Sequence, residues 1–290
     1  MKVAAIGEAM IELAMTGDDT SHVGVAGDTL NTAIYIKRSA PEISVDYITR
    51  LGGDPFSQRI RDFISAEQVG TGQIETDPNG SPGLYAIMTD ERGERSFTYW
   101  RGQSAARSMF QTDDGPCFDA LAGYDLLYLS GITLAILPAA TRTALLGWLR
   151  QFTGKVAFDG NYRPRLWASS ELARATMNAL WERADVALPS IDDEIAMRKE
   201  SHEAIIAQFH ALGVTGAVKC GEDGPISLGE PVTQDYPAAP HVVDTTAAGD
   251  SFNGGYLAAY LQGKNQRDCL MTGHALASSV IGHRGAIIPT

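Results

Sequence analysis

Short apolar runs alternate along most of the chain with longer segments whose apolar residues recur at helical spacing. Val3 to Ile6 reads as a strand ending at Gly7, and Val23 to Ala26 as a second, closed by Gly27. Asp28 or Thr29 can cap a helix running to about Arg38, with Leu30, Ala33, Ile34 and Ile36 turned inward. Val45 to Leu51 predicts a strand, and Gly52-Gly53-Asp54-Pro55 opens a helix to about Ala66, with proline near its first turn. Further strands at Leu126 to Leu129, Val156 to Phe158, Val186 to Leu188 and Val214 to Val218 are separated by helices. Those helices cover Pro138 to Phe152, Glu171 to Trp181 and Ser201 to Leu212, and the penultimate helical run covers Phe252 to Leu261. Strand-then-helix alternation predicts an α/β fold with a mostly parallel central sheet and helices on both faces.

One stretch breaks the rhythm. Gly83 to Met88 and Arg95 to Trp100 read as strands joined by a turn at Asp90-Glu91-Arg92-Gly93-Glu94. Together with segments near Glu12, Leu13 and Val23, on either side of a polar turn at Gly17-Asp18-Asp19, they predict a small sheet standing off the main body. Its strands fall within about 12–27 and 71–102. No internal repeat, low-complexity tract or long linker interrupts the chain, so residues 1–290 read as one domain.

Composition narrows the function. An apolar fraction of 44% supports a sizeable core, and 20% charged residues is ordinary for a soluble globule. A net charge of −12 argues against nucleic acid or an anionic membrane as partner. Cys117, Cys220 and Cys269 lie far apart without metal-ligand spacing, which predicts reduced thiols and a cytoplasmic location. The apolar run at the start is too short for a signal peptide, and no run is long enough for a membrane span.

The chemistry concentrates in Asp244-Thr245-Thr246-Ala247-Ala248-Gly249-Asp250-Ser251-Phe252. A helix beginning here leaves its first backbone N–H groups unpaired, and its dipole favours negative charge at that end. Ala247, Ala248 and Gly249 keep side chains clear of an approaching anion, while Asp250 sets a carboxylate beside it. A hydroxyl attacking a phosphoryl group fits between the two. This stretch resembles the C-terminal signature of the ribokinase-like (PfkB) sugar kinases, with Ala247 where glycine is commoner. The resemblance implies that Asp250 is the base accepting the sugar hydroxyl proton. It also implies that the amides of Ala247, Ala248, Gly249 and Asp250 hold the transferring phosphoryl group, and that the offset sheet is a lid over the sugar.

Other segments are similar to further elements of that family. Gly27, Asp28 and Asn31 form a strand-to-helix turn that can hydrogen-bond sugar hydroxyls. Ser57 stands where the next family element usually has glycine. Phe158-Asp159-Gly160-Asn161-Tyr162-Arg163-Pro164-Arg165 follows a strand, so it lies where open α/β sheets bind ligands. Arginine there offers a planar fork suited to carboxylate, and Tyr99-Trp100-Arg101 brings a second, beside Tyr85. Neutral sugars need no arginine. With Gly7-Glu8-Ala9-Met10, these motifs resemble the branch of the family that phosphorylates 2-keto-3-deoxygluconate. That implies acid contacts from Arg101 and Arg163, with Tyr85 and Tyr99 completing the pocket.

On the nucleotide side, Lys219-Cys220-Gly221-Glu222-Asp223-Gly224 resembles the family's Lys-x-Gly-x-x-Gly turn, implying ATP contacts from Lys219, Gly221 and Gly224. Ser190 and Asp193 are smaller groups where many members have Asn-x-x-Glu near the metal-bound phosphates. Mg²⁺ would be held largely by nucleotide and water, and the resemblance implies a monovalent cation near Asp244 and Thr246. His274 to Ser279 could wall the adenine. Asp250, at a helix N-terminus, is expected to be a weak base. Unpaired lid edges allow a homo-oligomer. A kinase for a neutral sugar (fructose, ribose or a nucleoside) and a non-catalytic sugar-acid sensor are the alternatives.

Overall fold

The computed structural model describes residues 1–17, 19–89 and 95–289, with Thr89 and Arg95 as backbone only; the expected turns at Gly17-Asp18-Asp19 and Asp90 to Glu94 fall wholly or partly outside them. The chain begins with β1 (Lys2–Ile6), β2 (Met10–Gly17), β3 (Thr20–Ala26), α1 (Asp28–Ser39), β4 (Ser44–Ile48), β5 (Arg50–Leu51) and α2 (Pro55–Ala66). It continues through β6 (Glu75–Thr76), β7 (Gly83–Thr89), β8 (Arg95–Trp100), β9 (Gln111–Thr112), β10 (Gly115–Pro116) and β11 (Leu126–Ser130). Next come α3 (Gly131–Ile136), α4 (Ala139–Leu149), β12 (Lys155–Asp159), α5 (Ser170–Trp181), β13 (Val186–Ala187), α6 (Ile191–Arg198) and α7 (His202–Ala211). The last elements are β14 (Thr215–Lys219), β15 (Pro225–Leu228), α8 (Ala248–Leu261) and α9 (Gln266–Val280).

The main sheet runs β15-β14-β13-β12-β11-β1-β4, parallel throughout except for β15. Its strands are buried on both sides, which is why they read as apolar runs and not as alternations. Along β1, Ala4 and Ile6 join the cluster packed by α4, α5 and α7, while Val3 and Ala5 join the one packed by α1, α8 and α9. Leu127 and Leu129 of β11 face the first cluster, and Leu126 and Tyr128 the second. Helices therefore cover both faces, as the alternation predicts.

The smaller sheet runs β3-β2-β7-β8 around its own core of Met10, Ala26, Tyr85 and Ile87. It is assembled from two hairpins joined by the parallel β2–β7 pair. β2 starts before the expected segment, and β6 lies outside this sheet, paired with β5. That pairing draws Arg50 and Leu51 away from the main sheet, so the expected strand Val45 to Leu51 is broken after Ile48. Three helices were given no bounds from sequence: α3, capped where Ser130 Oγ accepts the Thr133 amide at 3.4 Å, α6, and α9. The first two are too short to develop a helical period. Among the described residues no helix is long and apolar enough to cross a membrane.

Candidate active site

The carboxyl ends of the parallel strands, the start of α8 and one side of the smaller sheet enclose a cleft of about 1590 Å³. Every residue singled out from sequence lines it: Ala247, Ala248, Gly249 and Asp250; Gly27, Asp28 and Asn31; Tyr85, Tyr99, Arg101 and Arg163; Ser190, Lys219, Gly221 and Gly224. Positions more than two hundred residues apart in sequence meet in one space because strand exits collect at one edge of a parallel sheet.

α8 begins after Ala247, whose backbone is left-handed at φ 60°, ψ 18°. The Ala248 amide reaches Thr245 O at 3.2 Å, and Ser251 N makes the first helical bond, to Ala247 O at 2.8 Å. Gly249 and Asp250 lie between, in the first turn, where amides have no intrahelical partner. These are the amides a bound anion would meet. The nest is accordingly narrower than four residues, since the Ala248 amide is engaged within the turn. Asp244 shapes that turn, accepting the Thr246 amide at 2.9 Å and the Gly285 amide at 2.7 Å.

Asp250 departs from the weak base expected of a helix N-terminus. Asn31 donates to its Oδ2 at 2.8 Å. Burial pushes the carboxyl up, the charges of Asp28 and Asp159 add to this, and Asn31 and Lys219 oppose it; the result is a pKa of about 7. Loss of hydration and two like charges outweigh the dipole. At neutral pH this is a far more capable proton acceptor than an ordinary aspartate.

Gly27 is required by space. A Cβ there would lie 2.3 Å from Glu8 O, so the β3 exit and the β1 exit touch at backbone level. Asp28 follows, half-buried, with its Oδ2 accepting Asn161 Nδ2 at 2.8 Å. Ser57, the departure at the next element, is buried; it accepts the Gly52 amide at 2.8 Å and donates to Asp54 Oδ2 at 2.6 Å. Its hydroxyl closes the turn that opens α2.

The two arginines differ. Arg101, just past β8, is buried against Glu8, which also accepts Ser104 Oγ. Burial raises the Glu8 carboxyl, and the Arg101 charge counters it. Arg101 is thus an internal ion pair at the cleft wall and not a solvated charge. The Arg163 side chain is 51% exposed, donates to Tyr162 O at 2.9 Å and meets Asp193 at 3.4 Å. Tyr85 donates to Glu12 and stacks on Tyr99, ring centroids 5.5 Å apart.

At the other end, Gly221 and Gly224 both have positive φ, 57° and 81°, so the turn after β14 depends on glycine. Lys219 points back toward α8, not outward along this turn: its Nζ lies 2.7 Å from Asp159 Oδ2 and 3.2 Å from Asn253 Oδ1. Ser190 precedes α6 and lines the cleft without capping that helix. Asp193 accepts the Tyr162 amide at 3.2 Å and is raised by burial. His274 lies against Tyr236, centroids 5.1 Å apart, and with Ala277 lines the cleft.

A carboxyl raised to about 7 beside a helix N-terminus, in a cleft between a glycine-dependent turn and a polar pocket, is an arrangement suited to phosphoryl transfer to an alcohol. The whole chain, residues 1–290, matches the family described as pfkB family carbohydrate kinase. The chain belongs to that family. Among curated relatives, it is 44% identical to 2-dehydro-3-deoxygluconokinase of Escherichia coli K12, covering 99% of this chain and 97% of that one. It is 43% identical to the enzyme of the same name from Dickeya dadantii, covering 99% and 96%. Among solved structures, the Thermotoga maritima 2-dehydro-3-deoxygluconokinase superposes with TM-score 0.86 at 22% identity, covering 99% and 94%. Salmonella enterica aminoimidazole riboside kinase, solved with its riboside and an ATP analogue, superposes with TM-score 0.82 at 22% identity, covering 99% of this chain and 95% of that one. At those identities the superpositions speak for the fold alone, a ribokinase-like α/β fold.

Within this pfkB kinase, sequence reasoning missed Asn253 altogether. It is buried in α8 and donates to Asp159 Oδ2 at 2.6 Å and Tyr128 Oη at 3.0 Å. The signal was present: an amide within the otherwise apolar run Phe252 to Leu261 must find partners if buried. Glu8 stood in a quoted motif, but nothing local showed that its partner lies past β8.

Proposed function

We propose that this pfkB family kinase transfers the γ-phosphoryl group of ATP to the terminal hydroxyl of 2-keto-3-deoxygluconate, giving the 6-phosphate. The observation that carries the reading is that Asp250, raised to about 7, shares one cleft with Arg101 and Arg163. The names of relatives at 43–44% identity over nearly their full length point to the same acceptor.

In this reading Asn31 occupies Asp250 Oδ2, which leaves Oδ1 to take the alcohol proton. The alcohol oxygen forms the new bond to phosphorus, the bond to the departing ADP breaks, and the proton stays on Asp250. The first-turn amides of α8 meet the negative charge on the moving group, where preorganised donors act most strongly. Arg163 is free to turn from Asp193 to a substrate carboxylate, while Arg101 presents a fixed positive wall. Tyr85 and Tyr99 close the sugar pocket, and Gly221 and Gly224 allow close approach of the nucleotide. Bound Mg²⁺ would neutralise phosphate oxygens. It would be held mainly by nucleotide and water.

ADP release measured over sugar acids, hexoses, pentoses and nucleosides tests this. Turnover should be highest with 2-keto-3-deoxygluconate. Preference for a neutral sugar would replace the acceptor, and release with none would leave a sensor.

A further inference from the structure

The polar cluster beneath α8 is larger than base chemistry requires. Lys219 ends β14, Asp159 ends β12, and Asn253 sits one turn into α8. The ammonium contacts both partners, and Asn253 Nδ2 closes the triangle on Asp159 Oδ2 at 2.6 Å. Asn253 is in turn held by Tyr128 Oη of β11; Thr32 Oγ1 of α1 lies 3.1 Å from that phenol and 3.1 Å from Asp250 O. Residues of three strands and two helices are thus joined in one network around this ammonium, which Asp159 and Asn253 touch directly.

Burial makes this arrangement costly as a mere fastening. The Lys219 and Asp159 side chains are 12% and 4% exposed. Desolvating such a pair costs about as much as its attraction returns, so apolar packing would serve stability as well. Its placement has another use. A Cβ on Gly249 would lie 3.5 Å from Lys219 Nζ, so the ammonium rests against the first turn of α8 where glycine leaves room. Lys219 also lines the cleft.

We propose that Lys219 is a catalytic residue, its ammonium meeting the phosphoryl group in transit, and that Asp159 and Asn253 are positioning residues that aim it. This deepens the kinase reading and rests on it. The bond from phosphorus to ADP oxygen breaks, the bond to the acceptor oxygen forms, the alcohol proton goes to Asp250, and Lys219 keeps its protons throughout. A cation fixed beforehand needs no reorganisation when charge shifts from one oxygen to the other.

The test compares wild type with Lys219→Met, Lys219→Arg and Asp159→Asn, with folding checked by thermal unfolding. Lys219→Met should lower kcat roughly 10²–10³-fold, while ATP affinity, titrated without acceptor, weakens less than about tenfold. Lys219→Arg keeps the charge and should recover part of kcat. The acid limb of kcat/KM supplies a readout that a fastening would not move. Asp250 is faced by Asp28 of α1, Asp159 of β12 and Lys219 of β14, with the phenols Tyr35, Tyr85 and Tyr128 nearby. Removing the cation should move the limb to higher pH, and removing the Asp159 charge to lower pH, each by about half a unit or more. ATP binding lost in proportion to kcat/KM would make Lys219 a nucleotide tether and overturn the inference. So would a near-wild-type kcat or limbs that do not separate. If Lys219→Met does not fold, Asp159→Asn decides alone, an unchanged kcat and limb overturning it. A wild type that releases no ADP with any acceptor removes the kinase reading and this inference together; an active wild type with indifferent variants removes the inference only.

Discussion

The two ends of the cleft are built differently. Around α8, Asp250 is fixed by Asn31, and Lys219 by Asp159 and Asn253, with contacts between 2.6 and 3.2 Å. At the sugar end, Arg163 has a half-exposed side chain held to Asp193 at 3.4 Å, and Tyr99 is 47% exposed. In the proposed reading, the groups that act on moving charge are set in advance, while Arg163 and Tyr99, which would recognise the acceptor, keep freedom to adjust. The cost of a wrong side chain should therefore fall as kcat at the first end and as KM at the second.

Asp250→Asn should break the contrast most severely. It keeps the shape and loses the proton acceptor, so kcat should fall roughly 10²–10⁴-fold with ATP binding retained. A kcat near that of the wild type in a single-turnover assay would remove Asp250 from the role.

Arg101→Met probes a rigid element at the sugar end. Glu8 would be left buried without its cation, which typically costs roughly 3–5 kcal/mol. Urea unfolding should register that loss near neutral pH and a smaller one in acid, because a raised Glu8 carboxyl can neutralise itself there. A loss that stays constant with pH would mean that Glu8 is not the group left uncompensated.

Arg163→Ala sharpens the comparison from the other side. Losing one charge-assisted contact should raise KM for the sugar acid roughly 10- to 100-fold, with little change in unfolding temperature or in KM for ATP. Equal effects on both substrates would argue against a carboxylate contact.

The same contrast explains what could be read from sequence. The main sheet, most of its helices and all the candidate cleft residues were legible because each rests on a local pattern: an apolar run, a cap, a turn. The Ala247–Asp250 stretch was legible for that reason too. Charge pairing was not. Arg101 and Glu8 are separated in sequence by every strand of the smaller sheet, and the pKa of Asp250 depends on Asp28 and Asp159, brought near only by the fold. A helix N-terminus seen alone suggests an acidic carboxylate; the same carboxylate buried between two others is a base.

That reversal has a sign that can be checked in the apo protein. Asp250 moves from an ordinary 3.8 to about 7 on folding, so the folded state binds its proton more tightly than the unfolded one. Its contribution to stability is fully present below the unfolded value and is lost as pH rises from about 4 to about 7. Asp250→Asn should flatten this part of the stability curve and raise the unfolding temperature at pH 8 by about 2 °C or more. Parallel curves for the two proteins would place the carboxyl near its ordinary value.

The smallest effect concerns the turn that launches α8. A left-handed backbone costs a residue with a Cβ about 1–2 kcal/mol, and Ala247 adopts one at φ 60°. Ala247→Gly removes that strain but loses roughly 0.5–1 kcal/mol to the greater freedom of the unfolded chain, so a net gain of about 0.5 kcal/mol is expected in denaturant titrations. The amides of Gly249 and Asp250 should stay in place, and kcat should hold within about twofold. If stability rises and kcat falls several-fold, alanine is doing more than tolerating the turn. Its strain would then be holding the first turn of α8 in the posture the moving phosphoryl group requires, which would extend the rigid end of the cleft by one residue.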